Sequence, residues 1–178
     1  IKAYETVLSG DLAGNDNHET QNLEDNSNTV VTSIQNDRTA ILDGFIVTAG
    51  AGRYGAGIMC DHSRATILNC EIIHNRASWA QGGSGGGMYN IDSHPTIVHC
   101  TFTHNLANCK GGGVCNNNSN PALIDCQFID NSAGEGGAIQ SQDSEPLLSR
   151  CLFAGNRARF SRVTLGSPRG ATTEVIFP

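Results

Sequence analysis

The chain has 178 residues, which is long enough for one domain with a sizeable core. Its 17 Asp and Glu residues outnumber its 11 Lys and Arg residues, and a net charge of -6 argues against the basic surface that nucleic acids and anionic membranes require. No apolar run approaches the length of a membrane span. We therefore expect neither nucleic-acid binding nor membrane insertion by this segment.

Short apolar segments predict strands in residues 1–56. Ala3–Leu8, Thr29–Ile34 and Ala40–Thr48 are rich in β-branched and apolar residues and are bounded by Gly, Asn and Asp. An acidic stretch, residues 10–28, is predicted to form a loop. This N-terminal part is interpreted as a set of irregular coils.

Residues 57–156 contain a repeat, Cys-x-(Phe or Ile)-x-x-Asn, whose copies begin at Cys70, Cys100, Cys126 and Cys151. Successive copies lie 30, 26 and 25 residues apart. A Gly-rich step ends in an apolar residue 12 positions before each Cys, at Ile58, Met88, Val114 and Ile139. The variation in length therefore falls between the Asn and the Gly-rich step, as expected for a coil with fixed faces and one variable loop.

The columns of the repeat predict an interior. The structural ladder is predicted to consist of Cys70, Cys100, Cys126, Cys151, Asn75, Asn105, Asn131, Asn156, Phe102, Phe128 and Phe153. Stacked Cys and Phe would fill a narrow core with about 4.8 Å between like residues. Each Asn amide would bond the next coil at a turn and satisfy buried polar groups there. Gly44 lies 26 residues before Cys70 and is predicted to take the Cys position of a degenerate coil, with Ala51 in the Ala column.

The final part, residues 157–178, lacks the Gly-rich step and is interpreted as an irregular coil or cap. It keeps two strand-like pieces, Val163–Leu165 and Glu174–Phe177. The whole chain, 1–178, is thus predicted to be a single all-β domain, a right-handed parallel β-helix (solenoid) of about 25–26-residue coils with three short strands per coil. We expect it to be a fragment of a longer chain.

The repeat resembles known families. Phe128-Ile-Asp-Asn131-Ser-Ala-Gly-Glu-Gly136-Gly-Ala-Ile139 resembles the FxxN and GGAI repeats of chlamydial polymorphic outer-membrane proteins. Pro95-Thr-Ile-x-x-Cys-x-Phe-x-x-Asn105 is similar to the right-handed β-helix repeats of secreted bacterial proteins. This resemblance, over residues 39–158, implies an extracellular or cell-envelope location and an adhesin-like role. Related folds include polysaccharide-active enzymes, but a fold does not transfer an activity.

One column offers candidate catalytic residues, because His99, Asp125 and Arg150 precede the Cys in successive coils, after Asn69. Adjacent His, Asp and Arg on a flat sheet face could perform acid/base chemistry on a polysaccharide. Alternating charge on a solvated face explains the same residues. The catalytic residues therefore stay unknown, with these three as candidates.

Two sets of residues are candidate metal ligands. His74, His104 and Asp130 stack in the column before the Asn and could share an ion, although an outward turn tolerates any polar residue. Asp11 and Asn15 lie in a stretch that partly matches a calcium loop, but it lacks the Gly and the final Glu of such a loop. Calcium is the cofactor considered, and a solvated acidic turn is the alternative.

Two further features bear on function. Trp79 lies in the longest insertion, Arg76–Gly86, where it could stack on a sugar ring or cover a coil corner. Cys109 and Cys115 flank a Gly-rich loop and could form a disulfide, whereas Cys60 has no obvious partner.

Two classes of function remain open. The first is a non-catalytic scaffold or adhesin-like module that binds other surface proteins or associates with itself end to end into filaments. The alternative is a carbohydrate-active β-helix enzyme, similar to a polysaccharide lyase or epimerase, with polysaccharide as its partner. An enzyme would need converging charged residues with perturbed pKa values in a groove.

Overall fold

The protein forms a parallel β-solenoid of about five coils. A computed structural model describes residues 6–16, 23–78 and 82–160. The predicted strands at Val163–Leu165 and Glu174–Phe177, and Trp79, lie outside the described residues. In the described part no helix is long and apolar enough to cross a membrane.

The strands follow one another in the same order in every coil. The first part contains β1 (Thr6–Ser9), a 3-10 turn (Leu23–Asp25), β2 (Val31–Ile34), β3 (Ile41–Asp43), β4 (Phe45–Thr48) and β5 (Ala51–Gly52). The next coil contains β6 (Ile58–Asp61), β7 (Thr66–Leu68), β8 (Glu71–Ile73) and β9 (Arg76–Ala77). It is followed by β10 (Met88–Ile91), β11 (Thr96–Val98), β12 (Thr101–Thr103) and β13 (Leu106–Ala107). The last two coils contain β14 (Val114–Asn117), β15 (Ala122–Ile124), β16 (Gln127–Ile129), β17 (Ser132–Ala133), β18 (Ile139–Gln142), β19 (Leu147–Ser149), β20 (Leu152–Ala154) and β21 (Arg157–Ala158).

Corresponding strands of successive coils pair in parallel and form four sheets. The first sheet is β2-β6-β10-β14-β18, the second β3-β7-β11-β15-β19, the third β1-β4-β8-β12-β16-β20 and the fourth β5-β9-β13-β17-β21. The predicted all-β solenoid is confirmed, and the structure adds to the three predicted strands a fourth of two residues. Such a short strand gives too few alternating residues for a sequence signal.

The register confirms the regular columns and corrects the degenerate one. Met88 pairs with both Ile58 and Val114, as the Gly-rich step predicts. In the earlier coil, however, Ile46 pairs with Glu71, so Phe45 and not Gly44 lies opposite Cys70. The prediction was wrong by one residue because this coil repeats after 25 residues, and Gly52 rather than Ala51 lies opposite Ala77.

The interior is built from stacked identical or similar side chains. Phe102, Phe128 and Phe153 lie face to face with centroid separations of 5.0 and 5.1 Å. Cys70, Cys100 and Cys126 are buried, and each Sγ lies near main-chain carbonyl oxygens of its own and the preceding coil. Burial of these columns supplies the hydrophobic stabilisation.

A ladder of asparagines lines the turn between the third and fourth sheets. Each side-chain oxygen accepts both the main-chain N–H and the Nδ2 amide of the preceding ladder residue, as Asn105 Oδ1 does from Asn75, at 3.1 Å each. Each Nδ2 also donates to a main-chain carbonyl, such as that from Asn105 to Ile72, at 2.8 Å. The predicted ladder is confirmed, and at its N-terminal end Gly50 donates to Asn75 Oδ1.

A second, shorter amide stack lies inside the first sheet and ends at a thiol. Asn90 Nδ2 donates to Asn116 Oδ1 at 2.8 Å, and Asn116 Nδ2 donates to Ser141 Oγ. In the preceding coil the residue in this column is Cys60, which lies opposite Asn90 in the register of β6 and β10. Asn90 Oδ1 is buried and has no donor. The thiol therefore interrupts this ladder.

Asn105→Ala should destabilise the protein. The substitution removes the side-chain acceptor of the buried Asn75 N–H and the amide donor to the Ile72 carbonyl. Asn75 Nδ2 loses one acceptor and keeps the carbonyls of Val47 and Ile73. We expect a loss of about 1–3 kcal/mol in the free energy of unfolding, measured by chemical denaturation. Asn108→Ala, at an exposed position, is the control and should change little; equal effects would contradict the ladder's role.

Cys60→Asn should stabilise the protein, because the new amide can donate to Asn90 Oδ1 as Asn90 does to Asn116. We expect about 1 kcal/mol or more in unfolding free energy. The matched control is Cys126→Asn, whose column neighbours Cys100 and Cys151 offer only thiols, and it should destabilise by about 1–3 kcal/mol. Destabilisation of similar size by both substitutions would refute the interrupted ladder.

Candidate functional site

The candidate polar residues lie at the corners of the coils. Three columns of non-glycine residues adopt the left-handed conformation, with φ between about 47° and 59°. They are Gln35, His62, Asp92, Asn118 and Asp143; Asn69, His99, Asp125 and Arg150; and Ala49, His74, His104 and Asp130. Asn, Asp and His tolerate this conformation better than most residues, so backbone geometry alone favours them here.

The three candidate catalytic residues form one ion-paired column. Arg150 donates from Nε and Nη2 to the two oxygens of Asp125, at 2.6 Å each. His99 Nε2 lies 3.4 Å from Asp125 Oδ2. The Arg150 guanidinium holds the pKa of Asp125 below its usual range. The residues are adjacent, as the sequence predicts, but they lie at an exposed corner and not on a flat sheet face.

The candidate metal column brings two imidazoles together. The rings of His74 and His104 stack with centroids 5.1 Å apart, and His104 Nε2 lies 3.9 Å from Asp130 Oδ2. Within residues 6–16, 23–78 and 82–160, no group of three or more His, Cys, Asp or Glu residues is arranged to hold a metal ion.

The acidic loop at Asp11 uses its carboxylate to close its own turn. Asp11 Oδ1 accepts the N–H groups of Gly14 and Asn15 at 2.7 and 3.1 Å, and Oδ2 accepts that of Asp16 at 3.2 Å. Short acidic side chains commonly stabilise turns in this way. The geometry accounts for the Asp- and Asn-rich composition of this loop, and a calcium ion here stays a prediction.

A histidine corner that was not predicted from the sequence lies between the first and second sheets. His62 Nδ1 contacts the carboxylate of Asp61, and His62 Nε2 lies 3.9 Å from Asp92 Oδ2. The hydrogen bond to Asp61 raises the pKa of His62, and the charge of Asp92 acts in the same direction. The signal was present in the 30-residue spacing between His62 and Asp92, which matches the repeat.

The buried thiols of Cys60 and Cys115 behave as structural residues. All seven are free thiols, so Cys109 and Cys115 are not bridged. Burial raises the pKa of Cys60 and of Cys115 to about 12. Such thiols stay protonated at neutral pH and are poor nucleophiles. Cys109 is the exposed cysteine among the seven.

Two adjoining clefts, which were not predicted from the sequence, lie on the outer face of the first sheet. One, of about 260 Å³, is lined by Tyr54, Tyr89, Lys110 and several amide side chains. The other, of about 320 Å³, is lined by Tyr54, Arg53 and Met59 together with Asn28 and Thr29. Tyr54 borders both. The residues come from different coils, so only the stacking of the coils brings them together.

Comparison with protein families identifies the fold group. The family model for the right handed beta helix region matches residues 13–172. The chain belongs to this family, and its fold is a right-handed parallel β-helix. Comparisons with curated proteins and with solved structures gave no match. The narrower resemblance to the chlamydial repeats stays a prediction.

Asp61→Asn should lower the pKa of His62, because it removes the main group that stabilises the imidazolium. A raised pKa in the folded state means that His62 contributes stability below its unfolded pKa of about 6.5, and loses it as the pH rises through the folded value. NMR titration of His62 measures the shift. Asp143→Asn, three coils further along the same corner, should leave this pKa unchanged; an equal shift in both variants would point to a long-range charge effect instead.

Proposed function

We propose that the chain is a non-catalytic β-solenoid scaffold of the cell surface or extracellular space, an adhesin-like module that binds partners along its outer faces. The observation that carries this proposal is the pairing of corner side chains between neighbouring coils. Arg150 pairs with Asp125 of the preceding coil, and His99 and His62 each lie near an aspartate of the following coil, Asp125 and Asp92, all at exposed corners.

An enzyme of this fold would need a general acid or base in a cleft, with a pKa tuned by burial or by an opposed charge. Asp125 instead has a lowered pKa because Arg150 neutralises it, and both side chains face solvent. A carboxylate held ionised by a bidentate guanidinium is a weak base and has no proton to donate. The candidate column therefore favours a structural corner over acid/base chemistry.

The interior supports a role as a rigid support for a binding surface. Main-chain N–H groups at the turns donate hydrogen bonds to side-chain oxygens of the next coil. The acceptors belong to the asparagine ladder and to a column of buried serines. Ser63, Ser93 and Ser119 each donate a main-chain N–H to the Oγ of the next serine, at 2.8–2.9 Å. Outer side chains are thereby held at fixed spacings, which lowers the entropy lost on binding an extended partner.

End-to-end association into filaments is less well supported than binding along the sides. The third sheet extends one strand beyond the others at its N-terminal end, where β1 pairs with β4. At the other end of the described chain, all four sheets finish in the same coil with β18 to β21. β1 thus covers the edge of β4 that a strand of a stacked copy would need.

Incubation with polygalacturonate and alginate, with and without calcium, tests the absence of catalysis. We expect no rise in the absorbance of unsaturated products, because Asp125 and His99 are committed to the corner. Product formation that Asp125→Asn abolishes, while the fold measured by circular dichroism is kept, would overturn the proposal.

Sedimentation over a concentration series tests whether the protein associates end to end. We expect a single monomeric species, and growth of larger species with concentration would be the contrary result.

A further inference from the structure

Four thiols stack along the interior of the solenoid, in a row here called the thiol column and defined by Cys70, Cys100, Cys126 and Cys151. At one end of the column Phe45 lies opposite Cys70. Cys126 is completely buried, whereas Cys151, in the last described coil, is only partly buried. Of the gaps between successive thiols, the one between Cys126 and Cys151 is therefore the nearest to solvent.

The two thiols of this gap have equivalent surroundings. Cys126 Sγ and Cys151 Sγ each lie 3.4–3.6 Å from two main-chain carbonyl oxygens, one in their own coil and one in the preceding coil. Side chains with the same contacts adopt the same conformation, so the two sulfurs repeat at the strand spacing, which is about 4.8 Å. The rings of Phe128 and Phe153, two residues further along the chain in each coil, lie 5.1 Å apart.

This spacing suits a bridging metal ion better than a disulfide. A metal–thiolate bond is about 2.3 Å long, so an ion midway between two sulfurs needs them about 4.6 Å apart. A disulfide needs sulfurs about 2 Å apart and Cβ atoms about 4 Å apart, which side chains in register on paired strands do not reach without moving. The sulfurs lie in a line along the solenoid axis, so a third thiol of the column is too far away to bind the same ion. This agrees with the finding that the described residues contain no three-ligand group.

We infer that Cys126 and Cys151 bind one Cu(I) ion between them, as thiolates on opposite sides of the metal. Thiolates favour Cu(I), a soft ion that accepts two ligands in a straight line, whereas Zn(II) takes four ligands in a tetrahedron. The site lies inside the solenoid, so it goes beyond the proposed binding of partners on the outer faces and does not depend on it.

The chemistry of binding balances without an oxidant or a reductant. Two S–H bonds break and two S–Cu bonds form, so each Cu(I) ion releases two protons to solvent. The thiols lose only weak hydrogen bonds to carbonyl oxygens. The pair of thiolates with Cu(I) carries one negative charge, which main-chain N–H groups along the column stabilise, as the N–H of Cys70 does by donating to Cys100 Sγ at 3.5 Å.

Titration of the reduced protein with Cu(I) under exclusion of oxygen, against a coloured Cu(I) chelator as competitor, tests the metal site. We expect one equivalent of Cu(I) to bind, and X-ray absorption to show two sulfur neighbours around the metal. Zn(II) should bind at least about tenfold more weakly, because the gap offers it only two of its four ligands. Absence of Cu(I) binding, three or more sulfur neighbours, or Zn(II) binding as tight as that of Cu(I) would overturn the inference.

Single substitutions with matched controls test the place of binding. Cys126→Ser and Cys151→Ser should each weaken Cu(I) binding at least about 100-fold, since loss of a group that only orients a metal ligand already costs about 10- to 100-fold. The controls are Cys100→Ser, which removes the next thiol of the column, and Cys109→Ser, which removes the exposed thiol. Both controls should keep the wild-type affinity.

The pattern of losses separates the alternatives. Loss of binding in Cys109→Ser would reveal an adventitious ion on a surface thiol, and loss in Cys100→Ser with binding kept in Cys151→Ser would place the ion in another gap. Either result would overturn the inference.

Circular dichroism and thermal unfolding of each variant show whether lost binding reflects lost folding. Cys126 is completely buried, so its substitution could unfold the protein. Cys151→Ser changes a partly buried residue and decides the test in that case. A folded Cys151→Ser protein that binds Cu(I) as tightly as the wild type would contradict the assignment of this residue as a ligand.

Discussion

The structure depends on a buried turn that must satisfy its own polar groups. Where the third sheet gives way to the fourth, the chain turns inside the solenoid, and Asn75, Asn105 and Asn131 are almost completely buried there. Each ladder asparagine bonds main-chain groups and the asparagine of an adjacent coil. An unpaired buried amide is costly, so the ladder sets the identity of one residue per coil and holds successive coils in register.

The corners explain why much of the polar chemistry in this chain is structural. Each coil reverses direction through left-handed residues, and His, Asp and Asn recur at these positions because they tolerate that conformation. Stacking then places them above one another, and opposite charges such as Asp125 and Arg150 form pairs between coils. A column of His, Asp and Arg therefore arises from backbone geometry and charge compensation without any catalytic requirement.

Some of the site could be anticipated from the repeat, and some could not. The Cys, Phe and Asn columns were predicted because identical residues recur at a fixed distance from the Gly-rich step. The His99, Asp125 and Arg150 column was predicted to be adjacent, but its corner geometry was not, since a single left-handed residue leaves no periodic signal. The degenerate coil was misplaced by one residue because Gly44 is a corner glycine, with φ of 75°, and not a substitute for Cys70.

The sequence by itself determined the solenoid, its coil length and the residues that face the interior, because each of these is written several times at regular spacing. Only the tertiary structure decided which outer residues meet. Tyr54 and Lys110 lie in one column of isolated bridges and Tyr89 lies in the first sheet, so their meeting depends on the register between coils. Interior columns follow from periodicity, whereas the two clefts on the first sheet follow from the particular side chains that neighbouring coils place next to one another.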